Sequence, residues 1–415
     1  MKTPIQDYLA NIVEDVRLDN SGEVATYIPA LAQANPDRLA LAMTTVFGRT
    51  YTAGDVDTEY TIQSMSKPFA YAAALEHHGS ENVDRIVNTE PSGEAFNELS
   101  LEQGTHRPKN SMINVGALAV NQIVCRPGEN WKVRTDHMVD VLSALAGRQL
   151  SVDYDAYESE MDTAHRNMSI AHMLAAYGFI NTTPHDAVRG YTAQCSVLVN
   201  TRDVAMMTAV LANGGVNPVT DQKVLSRDVV RKVLSVMAIA GMYDEAGEWF
   251  TEVGIPAKSG VAGGLLGALP GQAGIAAFSP RLNDHGNSVR GIAIFRKLSE
   301  DLGLHIMDPD AIGSRALRGT RVKDGRSVIE IQGPINFTAA EIILNRLATN
   351  PPSQSEIVFD VSRVGYVNPV GRKLILEAMR RLSADGKEIL FYDPEGVLPN
   401  PDMGNGSLPV IVQEV

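Results

Sequence analysis

Hydrophobic positions in the longer, N-terminal part of the chain follow helical and strand periods in turn. Apolar side chains within residues 1–20 recur three or four positions apart, which predicts an amphipathic helix. The apolar run 39–46, followed by Gly48, predicts a strand that ends in a hairpin turn. The chain is then mostly helical and Ala-rich to about residue 240, and apolar segments at 274–278 and 291–295 predict further strands. We therefore expect a mixed sheet completed by both ends of this region, with flanking helices and a helical lobe beside it.

A different pattern follows a boundary rich in Pro, Gly and charge at about 308–323. Short apolar runs then alternate with amphipathic segments, and this alternation predicts a small α/β domain. The predicted strands are 328–333, 356–362 and 388–392, and the predicted helices are 339–348 and 371–383. We accordingly predict a first domain over 1–308, a linker over 309–323 and a second domain over 324–415.

Composition narrows the classes of partner. The 415 residues carry a formal net charge of −13, which opposes binding to the phosphates of a nucleic acid. Two cysteines, Cys125 and Cys195, do not make a disulfide framework and indicate a reducing compartment. The N-terminus lacks an apolar signal region, and no apolar run is long enough to span a bilayer. We therefore expect a cytoplasmic protein that binds neither nucleic acid nor membrane.

The segment Ser64-Met65-Ser66-Lys67 carries the strongest chemical signal. A serine and a lysine three positions apart share one face of a helix, so Lys67 can reach the Ser64 hydroxyl and take its proton. A later Lys258-Ser259-Gly260 completes the S-x-x-K and K-T-G-like pair of serine β-lactamases and penicillin-binding proteins. The spacing alone is common on solvated helices. The flanks 61–63 and 68–70, however, predict a turn feeding a buried helix.

Further segments match the serine-dependent glutaminases, in the order found in that family, and the chain resembles this family from about residue 27 to about residue 291. The matching segments are 24–29, 63–67, 90–93, 110–117, 166–167, 191, 194–196, 211–215, 241–244 and 256–264. The resemblance implies a β-lactamase/penicillin-binding-protein-like fold with the serine where two lobes meet. It also implies hydrolysis of L-glutamine to L-glutamate and ammonia, with no metal or organic cofactor.

The same resemblance implies four catalytic residues. Ser64 would form a glutamyl ester and Lys67 would act as its base. Tyr243 matches the tyrosine that shuttles protons to the leaving ammonia and from the incoming water. Tyr191 matches a second active-site tyrosine, although Val188-Arg189-Gly190 before it departs from the family pattern.

Substrate-binding residues also follow from the resemblance. The backbone N–H groups of Ser64 and Val261 would form the oxyanion hole, and the Ser259 hydroxyl would bind substrate. Glutamine carries an ammonium and a carboxylate, which need partners when they are buried. Glu160 matches the residue that pairs with the ammonium, and Asn167 supplies amide hydrogen bonds. The remaining matches that hold the substrate are Asn114 and Tyr27, with Tyr191 and Tyr243 also lining the site.

The second domain resembles a STAS domain, the module of anti-sigma-factor antagonists and sulfate-transporter tails. Members switched by phosphorylation carry Asp-Ser before the second helix, whereas this chain has Asn368-Pro369. Proline has no hydroxyl, so phosphorylation at Pro369 is impossible. The remaining roles are docking to a protein partner, assembly and small-ligand sensing, or simple packing and solubility. We expect a homo-oligomer, either a dimer or a tetramer.

Two other functions compete with glutamine hydrolysis. A β-lactamase or D,D-peptidase shares the serine and lysine, but the segments around Tyr27, Glu160 and Asn167 are glutaminase-like. A catalytically idle sensor could bind an amino acid and signal through the second domain. Binding alone has no need of an activated serine, so Ser64, Lys67 and Tyr243 favour the enzyme.

Overall fold

The computed structural model describes residues 4–94, 98–307, 316–335, 337–404 and 406–414. A five-stranded sheet forms the framework of its N-terminal part. Its strands are β1 (Ala40–Thr45), β2 (Thr50–Gly54), β5 (Ala257–Gly260), β6 (Gly264–Leu269) and β7 (Ala273–Phe278). They lie in the order β2-β1-β7-β6-β5. All four pairings are antiparallel, so the expectation of a mixed sheet is wrong for this part of the chain. A separate two-stranded pair joins β3 (Tyr60–Thr61) to β4 (Leu198–Val199).

Helices cover both faces of the five-stranded sheet. Alternate residues of β1 face opposite ways, with Leu41 in one hydrophobic core and Ala42 in another. The first core includes the helices α1 (Pro4–Arg17) and α13 (Val289–Leu302), and the second includes α10 (Thr201–Ala212). The strand predicted at 291–295 is therefore wrong, because these residues belong to α13.

The remaining helices of this part include those of the predicted helical lobe, whereas the helix Ala246–Glu252 packs in the first core through Ala246 and Trp249. The nucleophile segment leads directly into α3. The helices are α2 (Pro29–Ala32), α3 (Lys67–His78), α4 (Ser80–Val83), α5 (Asn114–Asn121), α6 (Trp131–Ala146), α7 (Tyr154–Asp162), α8 (His165–Ala176), α9 (Pro184–Cys195), α11 (Arg227–Ala240) and α12 (Ala246–Glu252), with 3-10 turns at Gln63–Ser66 and Tyr243–Glu245.

A second five-stranded sheet, in the order β12-β11-β10-β9-β8, organises the C-terminal part of the chain. Its strands are β8 (Leu317–Lys323), β9 (Arg326–Ile335), β10 (Glu356–Val367), β11 (Glu388–Tyr392) and β12 (Val410–Ile411), and its helices are α14 (Phe337–Thr349) and α15 (Pro369–Ala384). The pairings from β9 to β12 are parallel, and β8 is antiparallel to β9. Apolar side chains of both helices pack in one core with the inner strands.

The chain divides into two units, Met1–Asp308 and Pro309–Val415. Strand β8 begins at Leu317, so the C-terminal half of the predicted linker 309–323 is part of the second sheet. The N-terminal half of that linker, over residues 309–315, lies outside the described residues. Within the described part of the chain, no helix is long and apolar enough to cross a membrane.

Candidate active site

The candidate nucleophile Ser64 lies in a tight turn that leads into a buried helix. Residues Gln63–Ser66 form a turn of 3-10 helix that continues into α3. Pro68 occupies the first turn of α3, where its missing N–H would have had no helical partner. Gln63 has a φ of 50°, a left-handed conformation that costs a non-glycine residue about 1–3 kcal/mol and clusters at functional sites. The turn leaves Ser64 just reachable, at 7% exposure.

Lys67 is buried one helical turn after Ser64. Its Nζ donates to Asn114 Oδ1 at 2.7 Å and to the Met112 carbonyl at 3.2 Å. Burial lowers the pKa of this lysine to about 7, and the charges of Cys195 and Glu160 oppose that effect. A substantial fraction of Lys67 is therefore the neutral amine near neutral pH, which is the form that can accept a proton.

Tyr243 is far from Ser64 in the sequence but contacts this candidate nucleophile in the fold. Its phenol is hydrogen-bonded to the Ser64 side chain and donates to the Ser259 carbonyl at 3.4 Å. The buried Lys258 Nζ lies 3.7 Å from the centre of the Tyr243 ring. Burial raises the pKa of Tyr243 to about 12, so the phenol is protonated at neutral pH. Tyr243 itself has a φ of 58°, which makes it a second left-handed residue at the site.

Asn114 connects the lysine to the other predicted site residues. Its Oδ1 accepts hydrogen bonds from Lys67 Nζ and from Tyr191 Oη, the second at 3.4 Å. Its Nδ2 donates to Asn167 Oδ1 at 3.3 Å. The Tyr191 ring centre lies 5.9 Å from Lys67 Nζ. One amide thus holds three of the predicted residues together.

The unusual sequence before Tyr191 has a packing explanation. A Cβ atom at Gly190 would lie 2.7 Å from Asn121 Oδ1 and 2.8 Å from Arg134 Nη2. The fully buried Arg134 pairs with Asp186 at 3.0 Å and donates to Asn121. Glycine therefore leaves room for a buried arginine against α9, while Tyr191 keeps its place facing Asn114.

Glu160 is a buried residue of α7 and not a solvated loop charge. Its Oε2 accepts a hydrogen bond from Gln63 Nε2 at 3.1 Å. Burial raises the pKa of this carboxyl to about 7, while the Gln63 hydrogen bond and the Lys67 charge lower it by less. A cation that entered beside Glu160 would find a desolvated carboxyl oriented by the residue that precedes the nucleophile.

Strand β5 closes the site next to Ser64. A Cβ at Gly260 would lie 3.2 Å from the Ile62 carbonyl and 3.4 Å from Gln63 Cβ, so the strand end approaches the nucleophile turn closely. Val261 follows directly and places its backbone at the same end. Ser259 is fully buried and donates its hydroxyl to Asn287 Oδ1. The Ser259 hydroxyl proton is thus already donated to another residue of the protein.

Tyr27 lies at the rim. Its side chain is 57% exposed. Partial burial, followed by the nearby Tyr243 and Glu160, raises the pKa of its phenol. Tyr27 is thus close enough to Tyr243 and Glu160 to interact with them electrostatically, while its side chain remains exposed to solvent.

Three residues at the site were not predicted as functional. Gln63 precedes Ser64 directly, and its position in the motif could have indicated its role. Asn287 donates to Glu245 and accepts the hydroxyl of Ser259. Glu245 is close to Tyr243 in sequence, but no local pattern marks Asn287, which reaches the site through the fold.

Comparison with known proteins identifies the family. The sequence model of the glutaminase family matches residues 22–307. A glutaminase from Corynebacterium efficiens is 52% identical over 404 residues, which cover 97% of this chain and 96% of that protein. The chain belongs to the glutaminase family. A glutaminase from Corynebacterium glutamicum is 50% identical over 98% of both chains. The resemblance drawn from the motifs is therefore confirmed.

Solved structures of glutaminases share the fold. A crystal structure of Mglu has a TM-score of 0.90 and 52% identity over 96% of this chain and 100% of that one. Mglu in its glutamate form has a TM-score of 0.88 at 47% identity. The probable glutaminase from Bacillus subtilis complexed with 6-diazo-5-oxo-L-norleucine has a TM-score of 0.67 at 29% identity, over 74% of this chain and 98% of that one. The mixed α/β architecture is thus that of glutaminases.

Proposed function

We propose that this glutaminase hydrolyses L-glutamine through a glutamyl ester on Ser64, with Lys67 as the base. The observation that carries the proposal is the buried Lys67, whose pKa of about 7 allows it to accept a proton one helical turn from a serine bonded to Tyr243. Ser64 Oγ attacks the side-chain amide carbon while its proton passes to Lys67 Nζ. The developing oxyanion is stabilised by the backbone N–H groups of Ser64 and Val261.

Collapse of this intermediate breaks the C–N bond. The proton held by Lys67 returns through the phenol of Tyr243 to the leaving nitrogen, and ammonia departs. Water then attacks the ester while the same groups accept and return one proton, which releases L-glutamate and regenerates Ser64. Tyr243 suits this role because its phenol is protonated and contacts Ser64. Tyr191 supports it by holding Asn114, the partner of Lys67.

The amino-acid end of the substrate would lie against Glu160. The substrate ammonium pairs with this carboxylate, while Asn167, Asn114 and Tyr27 supply hydrogen bonds to the remaining polar groups. Glu160 raises the pKa of Lys67, and a bound ammonium offsets that charge. Substrate binding therefore favours the neutral, reactive form of Lys67. We assign Ser259 a positioning role instead of substrate contact, because its hydroxyl is donated to Asn287.

The ester can be tested directly. Wild-type protein mixed with L-glutamine and quenched in acid should carry a glutamyl group on the peptide that contains Ser64, detected by mass spectrometry. The Ser64→Ala variant should release no ammonia and carry no adduct. Ammonia release by that variant at the wild-type rate would contradict the proposed chemistry.

The pH dependence of kcat/KM should show an acid limb near pH 7. Lys67 must be neutral and Glu160 ionised, and each has a pKa of about 7, so both reach the active form by losing a proton as pH rises. The apparent value belongs to the pair. In Glu160→Gln the limb should move to lower pH, because the carboxylate that raises the pKa of Lys67 is gone. The exposed Glu158→Gln, on the same helix, should leave the limb in place. A profile that is flat between pH 6 and 8 would contradict this assignment.

We also propose finer descriptions of the two units. The first is β-lactamase-like, supported by the edge strand β5 lying against the nucleophile turn and by helices on both faces of the sheet. The second is STAS-like, supported by its five-stranded sheet and two helices. Asn368 caps α15, with Pro369 in the first turn, so docking, assembly or ligand sensing remain its proposed roles. Cytoplasmic location and assembly as a dimer or tetramer also stay predictions.

A chain that ends at Asp308 should fold and hydrolyse glutamine. All the proposed site residues lie in Met1–Asp308, and the Bacillus subtilis relative is matched by only 74% of this chain. Steady-state ammonia release and light-scattering mass should be compared with those of the full chain. We expect the shortened chain to have a kcat comparable to that of the full chain. Loss of the second unit should change the assembled mass or the binding of partners instead. A folded, soluble Met1–Asp308 chain without activity at any protein concentration would refute this division.

A further inference from the structure

A chain of polar contacts leads from Ser259, whose carbonyl accepts the Tyr243 phenol, to Glu245 at the end of the turn that carries Tyr243. Asn287 is fully buried, accepts the Ser259 hydroxyl with its Oδ1 and donates to Glu245 with its Nδ2. Asn283 Nδ2 donates to both Glu245 oxygens at 3.1 Å. Asn283 and Asn287 also bond each other through the backbone N–H of Asn283, at 2.8 Å, and that of Asn287, at 2.9 Å. The contacts thus link strand β5, the loop 283–287 and the turn that holds Tyr243.

The geometry points to Asn287 and Glu245 as positioning residues that hold Tyr243 in its proton-transfer conformation. This inference rests on the proposed role of Tyr243. Neither residue touches Ser64 in the structure, so each acts through Tyr243 and Ser259. No motif in the sequence marks them for this role.

The need for such a clamp follows from the backbone. Tyr243 is left-handed at a φ of 58°, and its turn, Tyr243–Glu245, spans only three residues. A non-glycine residue keeps that conformation only where surrounding contacts determine it. The Glu245 carboxylate fixes the C-terminal end of the turn through charge-assisted bonds. Asn287 then ties this end to Ser259, whose carbonyl accepts the phenol of Tyr243.

The direction of the hydrogen bonds makes the clamp testable. In Glu245→Gln one carboxylate oxygen becomes an amide NH₂ group, which then faces the N–H donors of Asn283 or Asn287, so that donor meets donor. In Asn287→Asp two carboxylates face each other. With both changes, the amide at position 245 donates to the carboxylate at position 287, which still accepts from Ser259. Asn283 can still donate to the amide oxygen. The double variant therefore restores the bond between positions 245 and 287 with its direction reversed, and it keeps one of the two bonds that Asn283 donates.

We would measure kcat and KM for the wild type, both single variants and the double variant, and check folding by thermal unfolding. Each single variant should lose kcat by about 10- to 100-fold with little change in KM, as expected when a proton-transfer group is misplaced by a fraction of an ångström to one ångström. The double variant should recover most of the loss. Glu248→Gln is the matched control, since Glu248 is an exposed carboxylate three positions after Glu245 that bonds Arg296 and not the loop 283–287. It should keep the wild-type kcat.

The inference would be overturned if both single variants kept the wild-type kcat. It would also be overturned if the fold loss of kcat in the double variant equalled the product of the two single losses. If either single fails to fold, the double variant must still fold and be active, and an unfolded or inactive double variant also overturns it. In a Tyr243→Phe background the singles should cost little further, because they act through the missing phenol. Full additional losses in that background would contradict action through Tyr243. Failure of the proposed chemistry is distinguished by Ser64→Ala in the same assay.

Discussion

Ser64→Ala and Lys67→Ala should each remove nearly all glutaminase activity, by about 10⁴- to 10⁶-fold in kcat, the range for losing a member of a nucleophile and base unit. Without Ser64 no ester forms. Without Lys67 the hydroxyl proton has no acceptor at neutral pH. Because the two act as one unit, the double variant should be little worse than either single variant. Ammonia release at saturating glutamine measures all three.

Two exposed residues of the same types are controls for this prediction. Ser235 and Lys223 are exposed and are not among the proposed site residues, so Ser235→Ala and Lys223→Ala should keep the wild-type rate. Lys67→Met should be inactive but folded, because methionine fills a similar space, although the buried Met112 carbonyl loses its donor. Wild-type activity in this variant would contradict the role of Lys67 as the base. Clearly additive losses in the Ser64 and Lys67 double variant would contradict a shared step.

Glu160→Gln should chiefly damage recognition of the substrate. The change leaves the substrate ammonium without its countercharge in a desolvated pocket, a loss of about 2–5 kcal/mol for truncating one side of a buried charge pair. That corresponds to roughly 30- to 5000-fold in kcat/KM. Steady-state kinetics over a wide range of glutamine concentrations would measure it.

The matched control for this second prediction is Glu158→Gln. Glu158 is exposed on α7, the helix that carries Glu160, so the two variants differ in burial and not in helix context. The control should keep the wild-type kcat/KM. Equal values for Glu160→Gln and the wild type would show that this carboxyl does not meet the ammonium.

Much of the proposed chemistry could be inferred from the sequence because it depends on short spacings. Ser64 and Lys67 are three positions apart, and any helix started by this turn brings them to one face. The sequence 256–264, with its small residues, likewise predicts a strand end that can approach a substrate closely. Glutaminase membership followed from the order of such local segments, and the comparisons confirmed it.

Several elements could not be assigned from local pattern. Residues 291–295 are apolar enough to resemble a strand, but Gly291, Ile294, Phe295 and Leu298 face the core at a helical spacing, inside α13. Leu317–Lys323 is mostly exposed and charged, so its sequence resembles a linker. Pairing with β9 supplies its hydrogen bonds and makes it a strand.

The amino-acid sequence by itself determined the family and indicated Ser64 and Lys67 as the proposed nucleophile and base, because these inferences rest on short segments of neighbouring residues. Tertiary structure alone decided which polar groups lose their water. Burial, which local sequence does not specify, brings the pKa of both Lys67 and Glu160 to about 7. Packing also brings the Ser259 hydroxyl to Asn287 and Asn287 to Glu245, which is two positions after Tyr243. These contacts join segments far apart in the chain, and only packing of the whole unit brings them within hydrogen-bond distance.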